Sequence, residues 1–487
     1  MSHSKTYKVL LLSSSKLVRS IVVIVCAMVL SRVLILRDYA TYQQSLLVYQ
    51  FAAPIMMLGL HQSLFYFLSV EKERAKCILF EHLSVLFVMG TVFSLFLLVG
   101  GRHLIAWMFN NPSLNYILLL FAPYPFFVLP VNAINSCLVT RDRVQELVIY
   151  NISSRIIIVT VIVSSTLIWR TTSAAILSTV IGYGIVFFPG IALMWNSCKE
   201  GELHPRFSEI ISILEFSGPL ALSEAMGTIS KALDKVVVSS LCLPEEFALY
   251  VNGAIEVPLI DIVVGSIASV ITPEMAGYYK NDSIDNVIQT WSNAIIRSAS
   301  VLLPTMGFIL VLAPELITLL FSSRYLKSAY TLRVYALNLP IRSIAFGAIF
   351  IAINKPKVIL HGTLFVLLIN LVLTLLFVPL LGATGAAWAT VISLWSMAVY
   401  YFLWLSKFSG KTMSQMIAWK SVRKLAFPVV YASCLSLLLG YIFPMEGMIK
   451  LIVTSAFYFC FVSIIYIRSG VFDIASIMKT IRLRLKK

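Results

Sequence analysis

The stretch Glu215–Tyr250, EFSGPLALSEAMGTISKALDKVVVSSLCLPEEFALY, decides how this chain folds. Most of it is an apolar run of the ~20 residues that a membrane-spanning helix needs. Glu224, Lys231, Asp234 and Lys235 nevertheless lie inside it. A charge at membrane depth is costly and faces a water-filled cavity or a partner. At ~100° per residue, Glu224, Lys231 and Lys235 share one helical stripe, with Asp234 at its edge. The end of the stretch, Glu246-Phe247-Ala248-Leu249-Tyr250, repeats Asp38-Tyr39-Ala40-Thr41-Tyr42 from the end of the first apolar segment. The stretch therefore opens a second copy of something the chain has already built once.

Composition fixes the class. The 487 residues are 59% hydrophobic and 12% charged, with mean hydropathy +0.91. This is the balance of an all-α polytopic membrane protein. A β-barrel is excluded, because the apolar runs are continuous rather than alternating. Lys5, Lys8, Lys16 and Arg19 precede the first run, but Arg32 and Arg37 follow it without a small-residue cleavage site, so no cleaved signal is expected. The seven cysteines are scattered, with no CxxC and no ligand cluster, so neither a metal site nor a cofactor is expected. The net charge of +16 reflects the positive-inside bias of membrane proteins rather than nucleic-acid binding.

The apolar runs predict about fourteen spans, at 15–36, 43–70, 79–100, 114–138, 147–169, 173–196, 212–241, 247–278, 292–313, 328–352, 358–380, 384–406, 425–443 and 447–467. With the N-terminus in the cytoplasm, twenty-four basic residues fall in inner segments and six in outer ones. This predicts both termini inside. Three further anchors repeat at nearly constant spacing: His103-Leu104-Ile105 with Glu315-Leu316-Ile317, Pro130-Val131 with Pro340-Ile341, and Thr172-Ser173-Ala174-Ala175 with Thr384-Gly385-Ala386-Ala387. Six spans separate the copies, so both enter from the same side. This predicts two parallel six-helix lobes about an axis along the membrane normal. The expected organisation is an N-terminal lobe at 1–200, a C-terminal lobe at 201–410, and an extra helix pair at 411–487.

Eight basic residues remain within spans: Arg19, Arg32, Arg155, Lys231, Lys235, Arg297, Arg333 and Arg342. Arg333 lies close to the outer surface and is read as structural. Arg19 and Arg32 are near span ends, where long cationic side chains also reach the interface by snorkelling. Arg155, Arg297 and Arg342 each lie four residues from an asparagine, Asn151, Asn293 and Asn338, on one helix face. The expected substrate-binding set is Lys231, Lys235, Arg155, Arg297, Arg342, Arg19 and Arg32. Glu224, Asp234, Glu256 and Asp261 are the expected ion-coupling carboxylates, since intramembrane acids often serve as relays. Pro123, Pro125, Pro130 and Pro340 predict bent helices. The small residues of Gly382–Thr390 predict close packing. No P-loop, HExxH or GxSxG is present, so there is no candidate catalytic residue and a transporter is expected rather than an enzyme.

Ser31-Arg32-Val33-Leu34, Asp38-Tyr39-Ala40-Thr41-Tyr42, Pro54, and Leu58-Gly59-Leu60 leading to Phe65-Tyr66-Phe67 resemble the N-terminal pattern of bacterial polysaccharide-biosynthesis flippases. Asn354-Lys355-Pro356-Lys357 and Gly382–Thr390 are similar to that family's later landmarks; Ala40 stands where the family usually has glycine. These are the Wzx-type O-antigen and capsule flippases of the multidrug/oligosaccharidyl-lipid/polysaccharide exporter superfamily, and the resemblance covers roughly residues 15–406. It implies two six-helix lobes around a central cavity, in the bacterial inner membrane. It further implies transport of undecaprenyl-pyrophosphate-linked glycan to the outer leaflet by a monomer among membrane lipids, with a glycan polymerase and chain-length regulator as partners. A lipid-linked peptidoglycan-precursor flippase and a drug exporter of the same superfamily are the alternatives, and a membrane-embedded glycan polymerase or ligase is the alternative of another class. A drug exporter of cations calls for an acidic lumen, and a polymerase for a large outer loop; the sequence has neither.

Overall fold

The computed structural model describes residues 5–256, 259–443 and 447–469. The first series of helices is α1 (Lys5–Val33), α2 (Leu36–Met56), α3 (Leu60–Val70), α4 (Ala75–Phe96), α5 (Arg102–Met108), α6 (Ser113–Phe121), α7 (Tyr124–Val131), α8 (Ile134–Thr140), α9 (Val144–Trp169) and α10 (Thr172–Ser197). The second is α11 (Phe207–Leu241), α12 (Pro244–Gly253), α13 (Leu259–Lys280), α14 (Ile284–Leu320), α15 (Ser328–Ala336), α16 (Leu339–Arg342), α17 (Phe346–Ala352), α18 (Pro356–Leu381) and α19 (Ala383–Ser409). A short α20 (Met413–Met416) leads to α21 (Trp419–Ile442) and α22 (Gly447–Arg468). The two series match in length at their last two helices. α9 and α18 are each 26 residues long, and α10 and α19 have 26 and 27.

Several expected spans are broken rather than continuous. α2 and α3 meet at a 42° bend, α6 meets the α7–α8 segment at 50°, and α15 meets the α16–α17 segment at 42°. The causes are local: Pro54 and the left-handed Leu58 and Gly59 at the first, Pro123 and Pro125 at the second, Pro340 at the third. The span expected at 247–278 is also divided, because α12 ends at Gly253 and α13 begins at Leu259. Among the described residues, eight helices are long and apolar enough to cross a membrane, or eleven with each bent pair as one span. The three expected spans outside that count, α1, α11 and α12–α13, hold most of the intramembrane charges. The chain is a multi-pass membrane protein, and about fourteen spans accommodate it.

The described helices form two compact units: Met1–Val251 with Thr374–Ala386, and Asn252–Leu373 with Ala387–Lys487. In the first, α1 packs on α9, α9 on α10, and α11 on α2, α3 and α4. In the second, Trp291 is wholly buried against Phe346 and Phe402, and its indole donates to the Ala345 carbonyl at 3.3 Å. α21 and α22 dock on α14, where the Tyr458 hydroxyl donates to the Pro304 carbonyl at 2.9 Å. Ala386, Ala387 and Ala389 are wholly buried, in keeping with the close packing read from Gly382–Thr390.

Candidate functional site

The first unit encloses a cavity of about 440 Å³, within the ~300–1,000 Å³ range of small-ligand sites. α1, α2, α7, α8, α9 and α10 wall it. Its polar lining is unusual for a membrane helix bundle: Tyr42, Tyr49, Tyr124, Tyr150 and Tyr183, with Gln43, Gln50, Asn132, Asn135 and Asn151. Arg155 is the only charged residue among them. It shares the cavity-facing stripe of α9 with Asn151 and Ser154, as spacings of three and four require.

Arg155 is positioned by a phenol rather than by an acid. Its Nη1 donates to the Tyr183 hydroxyl at 2.8 Å, and the guanidinium lies 5.8 Å from that ring's centre. Among the described residues, no carboxylate stands within ion-pair distance of it. A guanidinium has five N–H donors in a planar fork, so most of its donor capacity is turned to the cavity. The wall behind it is rigid. Tyr183 meets Tyr124 edge-on at 4.9 Å, Tyr124 meets Tyr49 edge-on at 4.8 Å, and Tyr124 stacks on Phe121 at 4.4 Å. Asn132 donates to the Tyr49 hydroxyl at 3.1 Å, and Tyr150 donates to the Val186 carbonyl at 2.9 Å. Such a surface offers flat aromatic faces, amides for hydroxyl groups and one cation for an anion.

The second unit has a cavity of about 400 Å³ between α13, α16, α17 and α19, and Arg342 is its one charged lining residue. The remaining lining is apolar apart from Gly265, Gly347 and Tyr401. Arg342 Nη2 donates to Glu256 Oε1 at 3.2 Å, so Glu256 neutralises a base. Asn338, which shares its helix face, is buried. Arg297 and its companion Asn293 are both exposed on α14. Arg333, read as structural, donates from Nε to the Leu310 carbonyl at 2.9 Å. Arg32 is exposed at the end of α1. The side chains of Arg19 and Asp261 lie outside the described residues.

On α11 the charges separate. Lys231 is exposed and Lys235 half-buried, and no acid stands within ion-pair distance of either among the described residues. Asp234 is buried and accepts from the Tyr250 hydroxyl at 2.6 Å and from the Lys235 amide at 2.8 Å. Glu224 lies 3.5 Å from both His61 Nε2 and Gln62 Nε2 on α3. Both in-helix acids thus meet side chains of other helices, Tyr250 on α12 and His61 and Gln62 on α3. The sequence reading missed Tyr183, Asn132 and His61. The spacing of Tyr183 from Thr179, one helical turn, was the available signal for the first.

The polysaccharide biosynthesis protein family model matches residues 29–330. The chain belongs to that family. It is 24% identical over 255 residues to the "Probable low-salt glycan biosynthesis flippase Agl15" of Haloferax volcanii, a match covering 52% of this chain and 53% of that one. The match thus spans about half the length of that curated relative. The fold is that of the MOP superfamily. The lipid II flippase MurJ, in an inward closed conformation, superposes over 96% of this chain and 100% of its own, with TM-score 0.74 and 18% identity. A transporter of the superfamily from Pyrococcus furiosus, described by the reverse polarity of its binding pocket, covers 83% of this chain and 96% of its own, with TM-score 0.60 and 14% identity.

Proposed function

We propose that this chain is a flippase that moves an undecaprenyl-pyrophosphate-linked oligosaccharide, an O-antigen or capsular repeat unit, from the cytoplasmic to the periplasmic leaflet by alternating access. The observation that carries this reading is the first-unit cavity, where Arg155 stands among tyrosines and amides with no acid within ion-pair distance among the described residues. Aromatic faces and amides suit sugar rings, and a guanidinium in a low-dielectric cavity binds an anion strongly. Family membership and a glycan-flippase relative support the same reading. Lys231, Lys235, Arg297, Arg19 and Arg32 complete the proposed cation set; Arg342, expected there from its spacing, is paired with Glu256 and is left out of it. Both termini face the cytoplasm of the inner membrane in this proposal.

The extent of the MurJ superposition favours one second reading, transfer of a lipid-linked peptidoglycan precursor. Proteoliposomes holding the purified chain and a fluorescent undecaprenyl-pyrophosphate trisaccharide test both readings. The proposed function predicts transfer of the trisaccharide between leaflets without formation of a glycosidic bond. Transfer of lipid II alone favours the second reading. Lengthening of the glycan would make the chain a polymerase and refute both.

A further inference from the structure

The closest approach between α11 and the α2–α3 break is backbone to backbone. Gly59 has φ +67°, and a Cβ placed there would stand 2.7 Å from both Ser217 O and Ala221 N of α11. Pro219 lies within that contact and removes one N–H from the helix ladder. Both helices are thus weakened where they touch. Tyr66 stacks on Phe216 across the same seam at 4.7 Å. One turn beyond Pro219, Glu224 Oε2 faces His61 Nε2 at 3.5 Å.

His61 Nδ1 is buried without a hydrogen-bond partner. A proton there would be an unsatisfied buried donor, so the neutral ring carries its proton on Nε2, toward Glu224. The titratable groups on the neighbouring helices have partners of their own, although one Glu81 oxygen is buried without a hydrogen-bond partner. On α4, His82 is held by Ser63 and the Ile78 carbonyl, and Glu81 by Arg74 and Cys77. On α8, Cys137 lies against Ser197 and Cys198; on α2, Tyr49 is engaged by Asn132. Lys231 stands two turns further along α11. With the imidazole neutral and the carboxylate ionised, the junction carries one negative charge. One proton from bulk water, bound at the carboxylate or at the ring, makes it neutral, the form that costs least to desolvate.

We propose that His61 and Glu224 form a dyad that takes up one proton per cycle, and that its loading sets how tightly α11 closes on the α2–α3 break. This rests on the reading of the chain as a transporter and supplies its coupling site; Asp234 accepts from the Tyr250 hydroxyl and Glu256 from Arg342.

The test uses the whole chain in lipid nanodiscs, treated with dicyclohexylcarbodiimide from pH 5.5 to 8.5. This reagent adds to protonated carboxyl groups, and mass spectrometry of the α11 peptide reads the product. We expect the labelled fraction at Glu224 to rise at least about fivefold as the pH falls, and His61→Ala to change it at least about threefold at pH 7. In proteoliposomes, the stimulation of trisaccharide transfer by an imposed pH gradient should vanish in Glu224→Gln. A Glu224 that stays unlabelled, or is labelled equally at every pH, overturns the dyad, and so does a gradient response retained by Glu224→Gln. Wild-type vesicles that move no trisaccharide refute the flippase reading instead, and the labelling then judges the dyad alone.

Discussion

The two units each present one half-buried arginine to a cavity of similar size, and the two arginines live differently. Arg155 is fixed by the Tyr183 hydroxyl, with tyrosines and amides around it and no acid at hand. Arg342 meets Glu256 across 3.2 Å, in a cavity that is largely apolar. Spacing alone makes them equivalents, since each has an asparagine four residues before it. Their hydrogen-bond partners separate them. On the proposed reading, the cation answered by a carboxylate holds structure together, whereas the cation answered by a neutral phenol keeps its charge for a ligand.

The sharpest way to break this contrast is to remove each charge. Arg155→Ala should lower surface glycan by ~10–100-fold at near-normal protein abundance, the loss expected for charged hydrogen bonds of ~1.5–3 kcal/mol. Arg342→Ala should cost less than about fivefold, because Arg342 and Glu256 are both partly exposed and such pairs contribute ~0–1 kcal/mol. Immunoblots of protein and glycan read both effects.

Lys231 and Lys235 extend the comparison to α11. Glu224 lies against His61, and Asp234 accepts from Tyr250; among the described residues neither forms an ion pair with the Lys231 or Lys235 ammonium group. Alanine at either position should reduce glycan display about tenfold with abundance unchanged. Lowered abundance, restored by removing the neighbouring acid, would instead return the lysines to a structural role.

Tyr183→Phe probes positioning within the first cavity. It removes one hydrogen bond, about 1 kcal/mol, and should slow leaflet transfer roughly fivefold without altering abundance. An ordinary surface pair supplies the baseline. In the linker after α10, Glu200 is held below the usual carboxylate range by its own backbone amide and by Arg141. A depressed carboxylate contributes stability above the usual value, 4.5, which is lost as the pH falls through its lowered one. The small gap in melting temperature between wild type and Glu200→Gln should therefore be present at pH 7 and close in acid.

Much of the fold was legible because burial in lipid leaves so few solutions. Continuous apolar runs, Arg and Lys asymmetry and the repeated anchors specify long helices in two matched series. The breaks were legible where proline causes them, at Pro123, Pro125 and Pro340, and were missed at Leu58–Gly59 and 254–256, where they depend on backbone conformation and tertiary contact. The site was legible only as charge. The sequence places Arg155 and Asn151 on one face, but the choice of Tyr183 over an acid as partner arises from how α9 lies on α10. Likewise His61 follows an unremarkable Gly-Leu pair, and only the packing of α3 on α11 brings it to Glu224.

Transfer rates in proteoliposomes test the central claim most directly. Arg155→Gln, Arg155→Lys and Arg342→Gln would be compared with wild type, using the fluorescent undecaprenyl-pyrophosphate trisaccharide. The account predicts a fall of at least about tenfold for Arg155→Gln, partial recovery in Arg155→Lys because lysine keeps the charge without the planar fork, and a near wild-type rate for Arg342→Gln. Equal losses at the two arginines, or undiminished transfer in Arg155→Gln, would contradict it.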